Sequence, residues 1–163
     1  KPDAPEALKT VPRLELSDIP KESSKIPTEI SHMGAAEVLK HPLLTSGVVY
    51  VDLAFDLGNV PAQLLPLLPL FCRGLREMGT KKSDFVQLQR RVDLSTGGIS
   101  ASPVISARRG SDEPMARLML RGKAMEAKVS LLMDLMAEIA TEVSWNNKER
   151  FLQLARESYA RSR

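Results

Sequence analysis

The stretch from Leu64 to Ser100, LLPLLPLFCRGLREMGTKKSDFVQLQRRVDLSTGGIS, constrains the fold most. It orders an amphipathic helix, a Met-Gly-Thr stop, a second helix and a Gly-Gly entry into a strand. Pro66 and Pro69 are tolerable only in a first helical turn, where backbone N–H groups lack intrahelical partners. Helix one therefore starts near Pro66. Leu67, Leu68, Phe71, Leu75 and Met78 form its apolar stripe, and Gly79 closes it. The pattern predicts helix two from Ser83, as N-cap, to Leu94, with Phe85, Val86, Leu88 and Val92 on its buried side.

The flanks of this stretch read as strands. Val48 to Leu57 alternates, with Val49, Val51, Leu53, Phe55 and Leu57 on one face and Tyr50, Asp52, Ala54 and Asp56 on the other. Ala35 to Lys40 is a shorter strand, separated from it by His41-Pro42 and Ser46-Gly47. After Gly97-Gly98, Ile99 to Arg108 and Met115 to Arg121 read as a hairpin with a long loop. Helix three is expected from Lys123 to Val143, with Met125, Val129, Leu132, Met136, Ile139 and Val143 as its stripe. Asn146, with Glu149 three residues later, has the pattern of a capping box opening helix four. That helix carries Phe151, Leu152, Ala155 and Tyr159.

The resulting order, β-β-α-α-β-β-α-α, favours a two-layer α+β domain with an antiparallel sheet and helices packed on one face. Residues 1–30 hold five prolines, Pro2, Pro5, Pro12, Pro20 and Pro27, and read as a linker or surface segment. The domain then spans 31–163. Its last helix stops at Arg163 without a cap, which reads as truncation and makes the chain a fragment.

At 163 residues the chain suits one domain with an appendage. One cysteine, Cys72, excludes an internal disulfide framework and a cysteine-rich zinc site. A net charge of +3, from 23 basic against 20 acidic residues, and few aromatics argue against nucleic acid as a partner. No apolar run approaches the roughly 18 residues that span a membrane, so no membrane partner is expected.

The groups capable of chemistry have plainer structural readings. His32 and His41 are nine positions apart in a turn-rich region, unlike metal-binding pairs on one helix face, and read as turn histidines. Asp52 and Asp56 share a strand face, but four residues at about 3.3 Å each separate them by roughly 13 Å. That is too far for a paired acid and base. Arg117 and Arg121 alternate in the same way, so cross-strand ion pairs would account for all four residues. Cys72 lacks an adjacent base and reads as a small buried residue. Arg73 stands one turn from Glu77 and suits an ion pair. Gly97-Gly98 lacks the Lys-Ser/Thr of a phosphate loop and reads as a bend into a strand.

Several blocks together resemble a known family. GVVYVDLAFDL, LLPLLPLFCRGLREMGT, DFVQLQRRVDLSTGGIS, RGKAM and the segment at Arg150-Phe151 are similar to the middle of presequence proteases, organellar members of the pitrilysin-type zinc metallopeptidases. The resemblance implies a parent of four related α+β domains closing as two halves around a chamber. The inverted zinc motif H-x-x-E-H would lie in the first domain, and this chain would be the linker plus the third, non-catalytic domain. Counting back from Gly79-Thr80, the zinc-motif positions would fall at Leu70, Arg73 and Gly74. No His or Glu lies between Leu64 and Leu75, so helix one reads as a degenerate relative of the catalytic helix.

The strand after Gly97-Gly98 would occupy the place where the catalytic domain holds extended substrate. Ile99, Ser100, Ala101 and Ser102 are therefore a candidate peptide-contact edge, with a plain chamber wall as the alternative. The parent would be a zinc metalloendopeptidase degrading cleaved targeting peptides and other short unstructured peptides. It would work in the mitochondrial matrix, the chloroplast stroma or both. This segment would carry no cofactor, and its partners would be the remaining domains and short peptides. Two alternatives stay open: a non-catalytic scaffold subunit of the same fold, and a free peptide-binding module.

Overall fold

The computed structural model describes residues 14–22 and 25–161. Most of the prolines of the expected linker, with Val11 and Arg13, lie outside the described residues. The chain forms two units, Lys1–Leu44 and Thr45–Arg163. In the first, Leu16–Asp18 form one 3₁₀ turn, and β1 (Glu29–Met33) pairs antiparallel with β2 (Ala36–Lys40). Gly34 turns the chain between them with φ +60°, a conformation that glycine adopts without steric cost. Lys40 and Glu29 close the open end with a 3.0 Å ion pair. The expected strand at Ala35 to Lys40 is thus present, but its partner is the segment just before it.

The second unit is built on a three-stranded antiparallel sheet in the order β3-β5-β4. The strands are β3 (Val48–Asp56), β4 (Ile99–Ala107) and β5 (Pro114–Met125). Leu118, Leu120, Gly122 and Ala124 of β5 face the core. Arg121 and Lys123 alternate with them on the exposed side. Among the described residues, four helices follow the predicted order: α1 (Leu68–Glu77), α2 (Phe85–Ser95), α3 (Val129–Thr141) and α4 (Lys148–Arg161). Leu68, Cys72 and Leu75 of α1, Leu88 and Val92 of α2, and Leu132, Leu135, Met136 and Ile139 of α3 form one buried cluster with the sheet. The α+β class holds, with one strand more than predicted, early in the sequence.

Two helix starts differ from the sequence reading. The segment Lys123–Met125 continues β5 instead of opening a helix, and the helix begins only at Val129 after the 3₁₀ turn Glu126–Lys128. Cross-strand pairing decides this, because Met125 stands opposite Val48 and Gly122 opposite Ile99. Gly122 also lets α3 sit close: a Cβ there would lie 2.6 Å from Leu132 Cδ1. The first helix starts as a 3₁₀ segment, Ala62–Leu67, that contains Pro66, so regular α-helix begins at Leu68.

The caps of the other two helices lie one residue later than expected. Asp84, not Ser83, caps α2: its Oδ1 accepts from Gln87 N at 2.8 Å, and Gln87 Oε1 accepts from Asp84 N at 3.4 Å. The Ser83 hydroxyl is taken by Arg91 Nη1 at 2.9 Å. At α4, Asn147 Oδ1 accepts from Arg150 N at 3.0 Å, so Asn147 supplies the cap that the spacing assigned to Asn146.

Gly79 stops α1 with φ +86°. A side chain there would also collide with backbone, since a Cβ would lie 2.8 Å from Phe85 N. The turn it makes is stitched to the α3–α4 connection by a Thr80–Val143 bridge, with Lys81 N donating to Glu142 O and Ser144 N to Gly79 O.

Candidate functional site

The zinc-motif positions implied by the family resemblance fall in the middle of α1. Leu70 is half-buried and offers no ligand atom. Arg73 is a cation, and Gly74 has no side chain. Gly74 is needed for packing: a Cβ there would lie 2.4 Å from Trp145 Cζ3. The Trp145 ring stacks on Phe71, with centroids 5.3 Å apart and planes 12° from parallel. These residues do not fit a zinc ion, which needs three or four N, O or S ligands converging on one point. Among the described residues, no group of three His, Cys, Asp or Glu is placed to hold a metal.

Arg73 instead organises an ion cluster between α1 and α4. Its Nε and Nη2 donate to the two Glu77 carboxylate oxygens at 3.0 and 3.1 Å, a bidentate pair. Nη1 reaches Leu154 O at 3.1 Å and Ser158 Oγ at 3.2 Å, and Nη2 also pairs with Glu157. Arg150 extends the cluster through a 3.0 Å bond from Nε to Glu77 O. Its guanidinium lies 4.1 Å above the centre of the Phe85 ring, a cation–π arrangement. The Glu77 and Glu157 side chains hold the Arg73 pKa above its usual value, while the Glu157 carboxyl falls below its own through the Arg73 hydrogen bond. The expected Arg73–Glu77 pair is present. Its extension to α4 joins residues more than 80 positions apart and has no local sequence signal.

A second polar cluster lies deeper. Glu138, only 4% exposed, accepts from Arg91 Nη1 at 3.0 Å and Nη2 at 2.9 Å, and from Thr80 Oγ1 at 2.5 Å. Burial pushes its carboxyl up. The Arg91 and Thr80 hydrogen bonds, aided by the charges of Arg91 and Lys82, outweigh this and hold it below the usual carboxylate range. The cluster ties α2, α3 and the turn after α1 together without leaving a buried charge unpaired.

The remaining residues singled out in the sequence are dispersed. His32 is exposed on β1. His41 Nδ1 lies 3.1 Å from Thr28 Oγ1 and 3.2 Å from Pro27 O, at the foot of the hairpin. Cys72 is buried, and burial pushes its thiol pKa up against the lowering influence of Arg76. Asp52 and Asp56 pair across the sheet with Arg121 and Arg117 at 3.2 and 2.9 Å. Gly97-Gly98 forms a bulge opposite Lys123, with Gly97 N donating to Lys123 O at 2.7 Å and Gly98 at φ +110°.

The candidate peptide-contact segment, Ile99, Ser100, Ala101 and Ser102, starts β4, which is an edge strand of its sheet. Ser100 is exposed, Ala101 and Ser102 are half-buried, and Ile99 belongs to the core. What this strand offers a ligand is its main chain.

Fold and side chains together define an α+β domain whose organised polar groups join helices to one another. A family model described as Peptidase M-16C associated matches residues 1–163. The chain belongs to that peptidase-associated family. It is 45% identical over 98% of its length to presequence protease 1, chloroplastic/mitochondrial, of Arabidopsis thaliana. It is 34% identical over 98% of its length to protein HypA of Clostridium perfringens. To the mitochondrial presequence protease of Saccharomyces cerevisiae it is 26% identical over 91%. The chain spans 15%, 16% and 15% of those three proteins, respectively.

Proposed function

We propose that this chain is a non-catalytic segment of a larger zinc metalloendopeptidase. The parent degrades cleaved targeting peptides and other short unstructured peptides in mitochondria, chloroplasts or both. The observation that carries this reading is the agreement of two facts about one helix. Relatives matched over nearly the whole chain are named presequence proteases, and α1 holds Leu70, Arg73 and Gly74 where the family resemblance places zinc ligands. The zinc and the water-activating carboxylate would then come from another part of the polypeptide. This segment contributes wall to the peptide-enclosing chamber, its partners being the other domains and the peptides within. The Arg73 and Glu138 clusters support that role, because they join helices to one another and present no reactive group.

The β4 edge is the part of this segment that would meet peptide, by main-chain hydrogen bonding to an extended chain. The relatives are named as proteases, which favours this reading over a scaffold subunit. Purified residues 1–163, incubated with an unstructured peptide and zinc, should leave the peptide intact, whereas the parent protein should cleave it. Chelator-sensitive cleavage by residues 1–163 alone would overturn the proposal.

A further inference from the structure

The hydrogen-bond phase of the sheet determines which main-chain groups of β4 are free. At one end of the β4–β5 ladder, Lys123 N donates to Gly98 O, and at the other, Arg108 N donates to Glu113 O. Both residues on the β4 side are even-numbered. In an antiparallel ladder, residues that exchange bonds alternate with residues whose N–H and C=O point away. Ser100, Ser102, Val104 and Ser106 therefore direct their main chain into β5. Ile99, Ala101, Pro103, Ile105 and Ala107 direct theirs outward. The β3 side agrees: Leu57 N donates to Ala116 O and Glu126 N to Gly47 O, so the even-numbered residues of β5 face β3 and the odd-numbered ones face β4.

Pro103 falls on an outward position, the only phase in which proline leaves the ladder intact. Among the described residues, no hydrogen bond reaches the outward groups of Ile99, Ala101 or Ile105. The free edge is therefore two donor-bearing stretches, Ile99–Ala101 and Ile105–Ala107, separated by a residue with no N–H. A strand crossing Pro103 would leave one of its own carbonyls facing the ring carbons without a donor, a cost of about 1–3 kcal/mol for an unsatisfied group.

We propose that Pro103 is a register stop, confining an added extended peptide to the main chain of Ile99 and Ala101. The proposal rests on the peptide-contact reading of β4 and adds its limit. It makes Pro103 a specificity-determining residue for how far a peptide pairs.

The test uses backbone amide exchange and peptide titration on isotopically labelled residues 1–163. The probe is a short uncharged synthetic peptide of alternating Val and Ser. In the unaltered chain, peptide should protect the Ile99 and Ala101 amides and leave Ile105 and Ala107 unprotected. Ile105→Pro should bind the peptide unchanged, because it removes a donor the peptide does not use. Pro103→Ala, or Pro103→Val if the first disturbs the sheet, should extend protection to Ile105 and Ala107 and tighten binding roughly two- to tenfold, as one or more added hydrogen bonds would. Protection of Ile105 and Ala107 in the unaltered chain, or weakened binding by Ile105→Pro, overturns the register stop and leaves the peptide edge standing. Peptide binding that survives Ala101→Pro, or no amide protection in any variant, overturns the peptide edge itself and the register stop with it.

Discussion

Arg121 Nε lies 3.2 Å from Asp52 Oδ2, and the two residues stand directly opposite in paired strands. Arg117 and Asp56 repeat the arrangement four residues along, at 2.9 Å. Both pairs lie on the side of the sheet away from the helices and are partly solvated. A cross-strand pair of this kind contributes about 0.2–1 kcal/mol. A double-mutant cycle with Asp52→Asn and Arg121→Gln, read from urea midpoints, should give a coupling in that range that shrinks with added salt. A coupling well above it would mean that the pair is more desolvated than its exposure indicates.

Gly74 presents a conflict between local and tertiary preference. In an isolated helix, glycine to alanine stabilises by about 0.5–1 kcal/mol. Here the new methyl would stand 2.4 Å from Trp145 Cζ3, so the indole would have to leave its stack on Phe71. Gly74→Ala should therefore destabilise the domain by about 1–3 kcal/mol, the usual range for overpacking. It should also shift the Trp145 fluorescence, which reports the only tryptophan in the chain. A raised melting temperature with unchanged emission would refute the packing role.

The Glu138 cluster predicts the acid limb of the stability curve. Its carboxyl is held below the ordinary value near 4.5, so the native state favours the charged form more than the unfolded state does. That stabilisation is complete above the unfolded-state value and fades as pH falls through the lower folded-state value. Glu138→Gln should cost about 1–3 kcal/mol at neutral pH, because Arg91 and Thr80 lose a charged acceptor. The gap between variant and unaltered chain should close as pH drops below about 4. Equal gaps at both pH values in urea titrations would rule out the charge as the cause.

Cys72 should react with thiol reagents only through opening of the fold. It is 2% exposed, and burial raises its pKa, so the reactive thiolate is both hidden and scarce. Labelling at neutral pH should be slow and accelerate in parallel with unfolding as urea is added. Fast stoichiometric labelling of the native chain would contradict the packing of α1 on the sheet.

The parts of this fold legible in the sequence are those with short periods. Alternation in Val48 to Asp56 and in Met115 to Arg121 revealed two strands, and with them the cross-strand Asp–Arg pairs. The four-residue spacing of Arg73 and Glu77 revealed their pair, and Gly79 marked a helix end. Helix caps came out one residue early; at α2 the Ser83 hydroxyl is claimed by Arg91, eight residues away. Lys123 to Met125 read as helix because Met125 suits a helical stripe; pairing with Val48 to Tyr50 keeps these residues in the strand.

The Arg91–Glu138 cluster, the contact of Gly74 with Trp145 and the edge position of β4 had no local signal. Each depends on which distant segments meet. The sequence by itself determined the class of fold, the order of most elements and the lack of zinc ligands in helix one, because these follow from residue type and from periods of two and 3.6 residues. Only the tertiary structure decided the strand order β3-β5-β4, and with it which face of Pro103 is free. Whether a backbone amide is spent or available depends on its neighbour in space, and a linear chain does not specify that neighbour locally.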